Sequence, residues 1–162
     1  MKIRLLLLIS CLFLISSTAN GEVNSAQINS GQSGINNVWL VVVNENADLT
    51  ALSHKQVLSL FLGRAQFLPT GSRVKTIDFP VDSKVRADFY HSLTGKNIAD
   101  IDAYWARLRY SGRASPPQPL ADSSEIMEMV RQQEAALAYL PANFKGDLAA
   151  NGLKAVLTVG SK

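Results

Sequence analysis

Val38-Trp39-Leu40-Val41-Val42-Val43 is a continuous apolar run rich in β-branched residues. A half-solvated strand would alternate apolar with polar side chains, so an unbroken run reads as a strand covered on both faces. Covering both faces of a sheet takes helices, and this one stretch already favours an α/β architecture.

Working outward, Ser53 and Gln56 have capping-box spacing ahead of Val57, Leu58, Phe61 and Leu62, which predicts a short amphipathic helix stopped near Gly63. Pro69-Thr70-Gly71 is turn chemistry, and Val74 to Phe79 reads as a second strand ended by Pro80. Ser83 can cap a helix that presents Val85, Phe89 and Leu93 and closes at Gly95. Asn97 can cap the next, with Ile98, Ile101, Trp105 and Leu108 at spacings of three and four and a stop at Gly112. Pro116, Pro117 and Pro119 are expected to forbid regular structure. Asp122 and Glu125 then form a second capping box before Ile126, Met129 and Val130. Ala136 to Leu140 and Leu153 to Val159 are the last strand candidates, joined by a loop from Pro141 to Gly152. Alternating strands and helices predict a layered α/β single domain over residues 38–162 with a largely parallel sheet.

Before that domain lie two segments of different character. Lys2 and Arg4 precede an apolar stretch from Leu5 to Ile15, and Ser17-Thr18-Ala19 supplies small residues for cleavage, the three-part pattern of a signal peptide over residues 1–19. The apolar stretch is too short for a bilayer span of about 20 residues, so no stable membrane insertion is expected after cleavage. Cys11 is the one cysteine, which leaves the exported part without a disulfide or a thiol nucleophile. Residues 20–37, rich in Asn, Ser, Gly and Gln with only isolated apolar positions, read as a flexible leader.

Across 162 residues, 47% hydrophobic against 18% charged excludes wholesale disorder. The formal charge of +3 falls to +1 once Lys2 and Arg4 are removed, and no cluster of positive charge resembles a footprint on a phosphate backbone. A nucleic-acid partner is not expected.

Catalytic patterns are absent: there is no Gly-x-Ser-x-Gly elbow, and His54 and His91 both fall inside predicted helices. No metal-ligand spacing and no glycine-rich nucleotide loop occurs, so no cofactor is expected. Asp100 and Asp102 point in different directions on one helix. Tyr104, Trp105 and Tyr110 suggest a stacking platform for sugars or bases, against which Trp105 shares the apolar stripe of its helix. Arg107, Arg109 and Arg113 form a local basic group.

An anion site at the start of the Ser83 helix has more behind it. A helix amino terminus exposes unpaired N–H groups and a partial positive charge. The Ser83 hydroxyl adds a donor, and Lys84 and Arg86 add full charges. The plainer reading is that Asp82 or Ser83 simply caps the helix.

Several motifs in order resemble the type II periplasmic substrate-binding proteins, in particular the small phosphate ABC transporter substrate-binding-like proteins. They are Leu58-Ser59-Leu60-Phe61-Leu62-Gly63-Arg64, Phe67-Leu68-Pro69-Thr70-Gly71-Ser72, Asp82 through Tyr90, Leu93-Thr94-Gly95-Lys96, Tyr104-Trp105, and Ser111-Gly112-Arg113 with Pro116-Pro117. Val130-Arg131-Gln132-Gln133 leading to Ala138-Tyr139-Leu140 completes the series. The resemblance implies a fold related to one lobe of a phosphate-binding protein, with the Ser83 helix matching the segment that grips phosphate. Lys84 and Val85 stand where the family has Gly-Thr, and Glu134-Ala135-Ala136 where it has Pro-Gly.

The resulting expectation is a periplasmic, non-catalytic solute-binding protein for phosphate or a similar oxyanion, serving an ABC permease or a membrane sensor. Ser83 and the following N–H groups, of Lys84 and Val85, would be donors, Arg86 the charge partner, and Asp82 an acceptor from a protonated phosphate oxygen. The rival is a periplasmic interaction module that kept the lobe, lost the ligand and docks through the Arg107, Arg109 and Arg113 face.

Overall fold

The computed structural model describes residues 38–144 and 146–160; the segments read as signal peptide and leader lie outside the described residues. Along the chain come β1 (Trp39–Asn44), α1 (His54–Phe61), β2 (Lys75–Asp78), α2 (Lys84–Thr94), α3 (Ile98–Tyr110), β3 (Gln118–Pro119), α4 (Ser123–Gln132), β4 (Ala136–Pro141) and β5 (Leu153–Val159). A 3₁₀ turn at Ala149–Asn151 precedes β5. The strands form one sheet in the order β3-β2-β4-β1-β5.

The apolar run that opens the domain becomes β1, held between β4 and β5, with Val41, Val42 and Val43 fully buried. Side chains alternate between its faces. On one face Tyr139, opposite Val41, stacks on Phe89 of α2 at 3.5 Å between ring centres, and Phe61 of α1 meets both rings edge-on. On the other face lies α4, whose Val130 and Arg131 carbonyls accept from Asn44 Nδ2 at 3.3 and 2.6 Å. The sheet is covered on both sides, as the α/β reading requires.

The largely parallel sheet is corrected to a mixed one. β2 pairs parallel with β3 and β4, whereas β1 is antiparallel to both β4 and β5. Alternation of element types fixes neighbours in sequence but not the direction in which a strand inserts, and β1 enters the sheet reversed. The proline segment is also corrected: Gln118–Pro119 adds to β2 as a two-residue edge strand. Proline is tolerated at an edge because its missing N–H removes no bond of a second ladder. β2 itself is shorter than expected, because Val74 donates to the Gln66 carbonyl and Phe79 donates to Asp78 Oδ1, leaving the ladder at each end.

Four caps, Ser83 among them, act where the sequence placed them. Ser53 and Gln56 form the reciprocal box, and Asn97 accepts from Asp100. Asp122 accepts from Ser124 and Glu125, but Glu125 returns to the N–H of Ala121 rather than of Asp122, so the second box is displaced by one residue. Among the described residues, no helix is long and apolar enough to cross a membrane.

Candidate functional site

β2 ends in Ile77-Asp78 and Phe79 follows, so a carboxylate sits between two apolar side chains, and all three residues are buried. Burying a charge is costly unless every lone pair is met. Asp78 meets that condition: Oδ1 accepts from the Phe79 N–H at 2.8 Å and from the Tyr139 hydroxyl, while Oδ2 accepts from Arg86 Nε and the Tyr90 hydroxyl, each at 3.1 Å. Four donors at two oxygens match an ionised carboxylate. Burial pushes the Asp78 carboxyl above its ordinary value of 3.8, against the pull of Tyr139, Arg86 and Tyr90. Burial, with the Asp78 charge behind it, also holds the Tyr90 and Tyr139 hydroxyls well above theirs. For Arg86, burial works against the charge, but Asp78 and Asp102 outweigh it and keep the guanidinium protonated.

This network fixes α2 against the end of β2, and the chain between them sets the amino end of the helix. Pro80 accepts from the Ser83 N–H, turning the chain at the carboxyl end of a strand in the parallel half of the sheet. In α/β sheets, that is where ligands are commonly received. Ser83 is the N-cap, and its Oγ accepts from the Val85 N–H at 3.2 Å. The N–H groups of Lys84 and Arg86 have no partner among the described residues. Asp82 and Lys84 are exposed, and Lys84 pairs with Asp88 one turn on.

Arg86, expected as the charge partner of an anion, is engaged by partners within the fold. It is 4% exposed and donates to Asp78, to Asp102 Oδ1 at 2.9 Å and to the Val81 carbonyl at 3.4 Å. One turn of helix after Ser83, its side chain points at the sheet, because Asp78 and Asp102 offer it acceptors there. Five positions expected to act together thus divide: Asp82, Ser83 and Lys84 sit at the helix start, Val85 offers an N–H already capped, and Arg86 belongs to the interior.

The remaining candidates also separate. His54 and His91 are exposed. Tyr104 donates to the Leu62 carbonyl at 2.8 Å, Trp105 is core and Tyr110 is 98% exposed, so the three rings form no platform. The Trp105 indole N–H lies near enough to the Tyr90 hydroxyl to favour its ionised form, yet outside hydrogen-bond geometry. Arg109 and Arg113 border a 420 Å³ cleft together with Arg73, whereas Arg107 lines a different depression beside Arg64 and Lys96. Among the described residues, no group of His, Cys, Asp and Glu could hold a metal ion.

Sequence reasoning missed Asp78, Tyr90 and Tyr139 as a unit, and Arg73 as a partner of Arg109 and Arg113. An acid between Ile77 and Phe79 was the available signal for the first. Nothing local announces the second, since Arg73 lies in a turn far along the chain from Arg109.

No protein-family profile matches the sequence, and no curated protein does. Solved structures match the fold. An ABC-type phosphate transport receptor from Vibrio cholerae aligns with a TM-score of 0.55 at 14% identity, over 73% of this chain and 44% of the receptor. A Clostridium perfringens protein of the phosphate ABC transporter substrate-binding class, crystallised with bound phosphate, aligns with a TM-score of 0.56 at 15% identity, over 73% of this chain and 43% of that one. PstS from Borrelia burgdorferi aligns with a TM-score of 0.51 at 8% identity, over 74% and 47%. This chain spans less than half the length of these proteins, and what it has in common with them is an α/β fold, that of one lobe of a phosphate-binding protein.

Proposed function

We propose that this chain is an exported, non-catalytic solute-binding protein that takes phosphate or a similar oxyanion at the amino end of α2. Residues 1–19 direct it to the periplasm, residues 20–37 are a leader, and an ABC permease or a membrane sensor is its partner. The observation that carries this reading is the start of α2, at the carboxyl end of β2, where the Ser83 hydroxyl caps the helix and the Lys84 and Arg86 N–H groups have no partner among the described residues. The fold in common with phosphate receptors supports it.

Each residue then has a distinct task. Ser83 accepts from Val85 and keeps its own proton for an anion oxygen, and Lys84 supplies a mobile charge. Asp82 accepts from a protonated oxygen, which favours hydrogen phosphate over sulfate. Arg86 acts as a positioning residue, holding α2 to Asp78. Calorimetric titration with phosphate and then sulfate tests the reading: saturable phosphate binding is expected, with sulfate weaker. Ser83→Ala should lower phosphate affinity by about 1.5–3 kcal/mol, the scale of a hydrogen bond to a charged group. Unchanged affinity in that variant would remove Ser83 from the site.

A second reading, the ligand-free interaction module, is favoured by the closed pairing of Arg86 and the cap already made by Ser83. Absence of both binding heat and a thermal shift with phosphate would select it.

A further inference from the structure

The cleft bordered by Arg73, Arg109 and Arg113 lies at the amino end of β2, away from the carboxyl end that leads into α2. Its arginines come from three pieces of backbone, each fixed. Arg73 bridges Phe67 in a turn closed by the Val74 N–H on the Gln66 carbonyl at 2.9 Å. Arg109 lies in the last turn of α3, where a cation suits the helix dipole. Arg113 follows Gly112, and its N–H donates back to the Leu108 carbonyl at 3.1 Å.

All three side chains are exposed, and among the described residues none of them forms an ion pair and no acid lines the cleft. Three like charges around one concavity repel one another and concentrate anions from solution. Gln66, Thr76 and Ser115 add neutral hydrogen-bonding groups to the same walls. The volume of 420 Å³ is that of roughly fourteen waters at about 30 Å³ each, within the range of small-molecule pockets and ample for more than one inorganic oxyanion.

We propose that this cleft binds a small organic polyanion carrying two or three phosphate or carboxylate groups, which Arg73, Arg109 and Arg113 engage while Gln66, Thr76 and Ser115 meet its neutral body. The site is separate from the α2 amino end and does not depend on that reading.

The test titrates the full chain with glucose 1,6-bisphosphate, with citrate and with inorganic phosphate. The first two distinguish phosphate from carboxylate groups on the ligand. Saturable binding of at least one polyanion is expected, weakened at least tenfold in Arg109→Ala and in Arg113→Ala and reduced by added salt. Inorganic phosphate should respond equally in the wild type and in these variants. Loss of that response in Arg109→Ala would place the ion in the cleft, upholding the arginine site and overturning the α2 reading. Two results would overturn the cleft proposal: no saturable binding of either polyanion, or binding that survives in the triple variant Arg73→Ala, Arg109→Ala, Arg113→Ala with an unchanged unfolding curve.

Discussion

Arg86 and the trio Arg73, Arg109 and Arg113 are the same side chain in opposite settings. Arg86 is buried, pairs with two carboxylates and lies over the Tyr90 ring at 5.2 Å. The trio is exposed around a cleft and finds no carboxylate among the described residues. A buried guanidinium is retained only when acceptors surround it, so its partners describe the fold. An exposed guanidinium without acceptors is available to something outside the chain. In this protein, charge that is visible in sequence divides into a structural part and a receptive part, and only long-range contacts separate them.

The comparison breaks most directly at its buried end. Arg86→Met leaves Asp78 in the interior without a cation, and removing one partner of such a pair costs about 3–5 kcal/mol. Urea unfolding should show that loss. A change below about 1 kcal/mol would mean that Tyr90, Tyr139 and the Phe79 N–H satisfy Asp78 unaided, and the Arg86 pairing would then be incidental to stability.

Tyr139→Phe sharpens the same region with a smaller effect, about 1.5–3 kcal/mol for a lost hydrogen bond to a charged group. It also has a pH signature. Because the folded pKa of Asp78 lies above 3.8, the folded protein binds the proton more tightly than the unfolded chain does. Stability from this group is complete below 3.8 and declines as pH rises through the folded value. Tyr139 opposes that rise, so deleting its hydroxyl should carry the decline to higher pH. Unfolding free energies for both proteins across a pH series would check this, and a difference independent of pH would show that Asp78 does not titrate as its burial requires.

These long-range bonds also mark the limit of what the sequence discloses. Capping is local chemistry, so Ser53, Asn97 and Asp122 could be read three residues at a time, and the buried run at Val41 to Val43 declared the central strand. The Asp78–Tyr139 bond joins residues 61 apart, and neither position reveals the other. Strand direction escaped for the same reason, since the reversal of β1 is set by its partners β4 and β5 at the far end of the chain. At the helix start, the anion pattern of Ser83, Lys84 and Arg86 was legible as composition. The direction of Arg86 was not, because it depends on Asp102 in the next helix.

Gly63 lines the arginine cleft and packs on the core, and its substitution should show an intermediate cost. Its φ of +64° is one that side-chain-bearing residues seldom adopt, and an added Cβ would meet the Trp105 ring at 2.8 Å and Ala114 at 3.3 Å. Trp105 is buried and cannot swing aside, so overpacking of about 1–3 kcal/mol is expected for Gly63→Ala. Ala114 also borders the cleft. A polyanion affinity that falls along with stability would show that the core beneath Gly63 holds the arginine site in shape; an unchanged affinity would show that the cleft walls are set by the turns alone.

The smallest effect on stability belongs to the exposed end. Arg109→Ala removes a favourable cation from the last turn of α3, where the dipole term is a few tenths of a kcal/mol at an exposed site. It also relieves repulsion from Arg73 and Arg113, and the two changes have opposite sign. Net stability should therefore move by no more than about 0.5 kcal/mol, read from the midpoint of urea unfolding at constant slope. A loss above about 2 kcal/mol would show that Arg109 makes a contact that the fold needs, and the division between a structural and a receptive arginine would fail. A gain in stability, larger at low salt, would instead measure the strain of holding three cations around an unfilled cleft, the same repulsion that a bound polyanion would relieve.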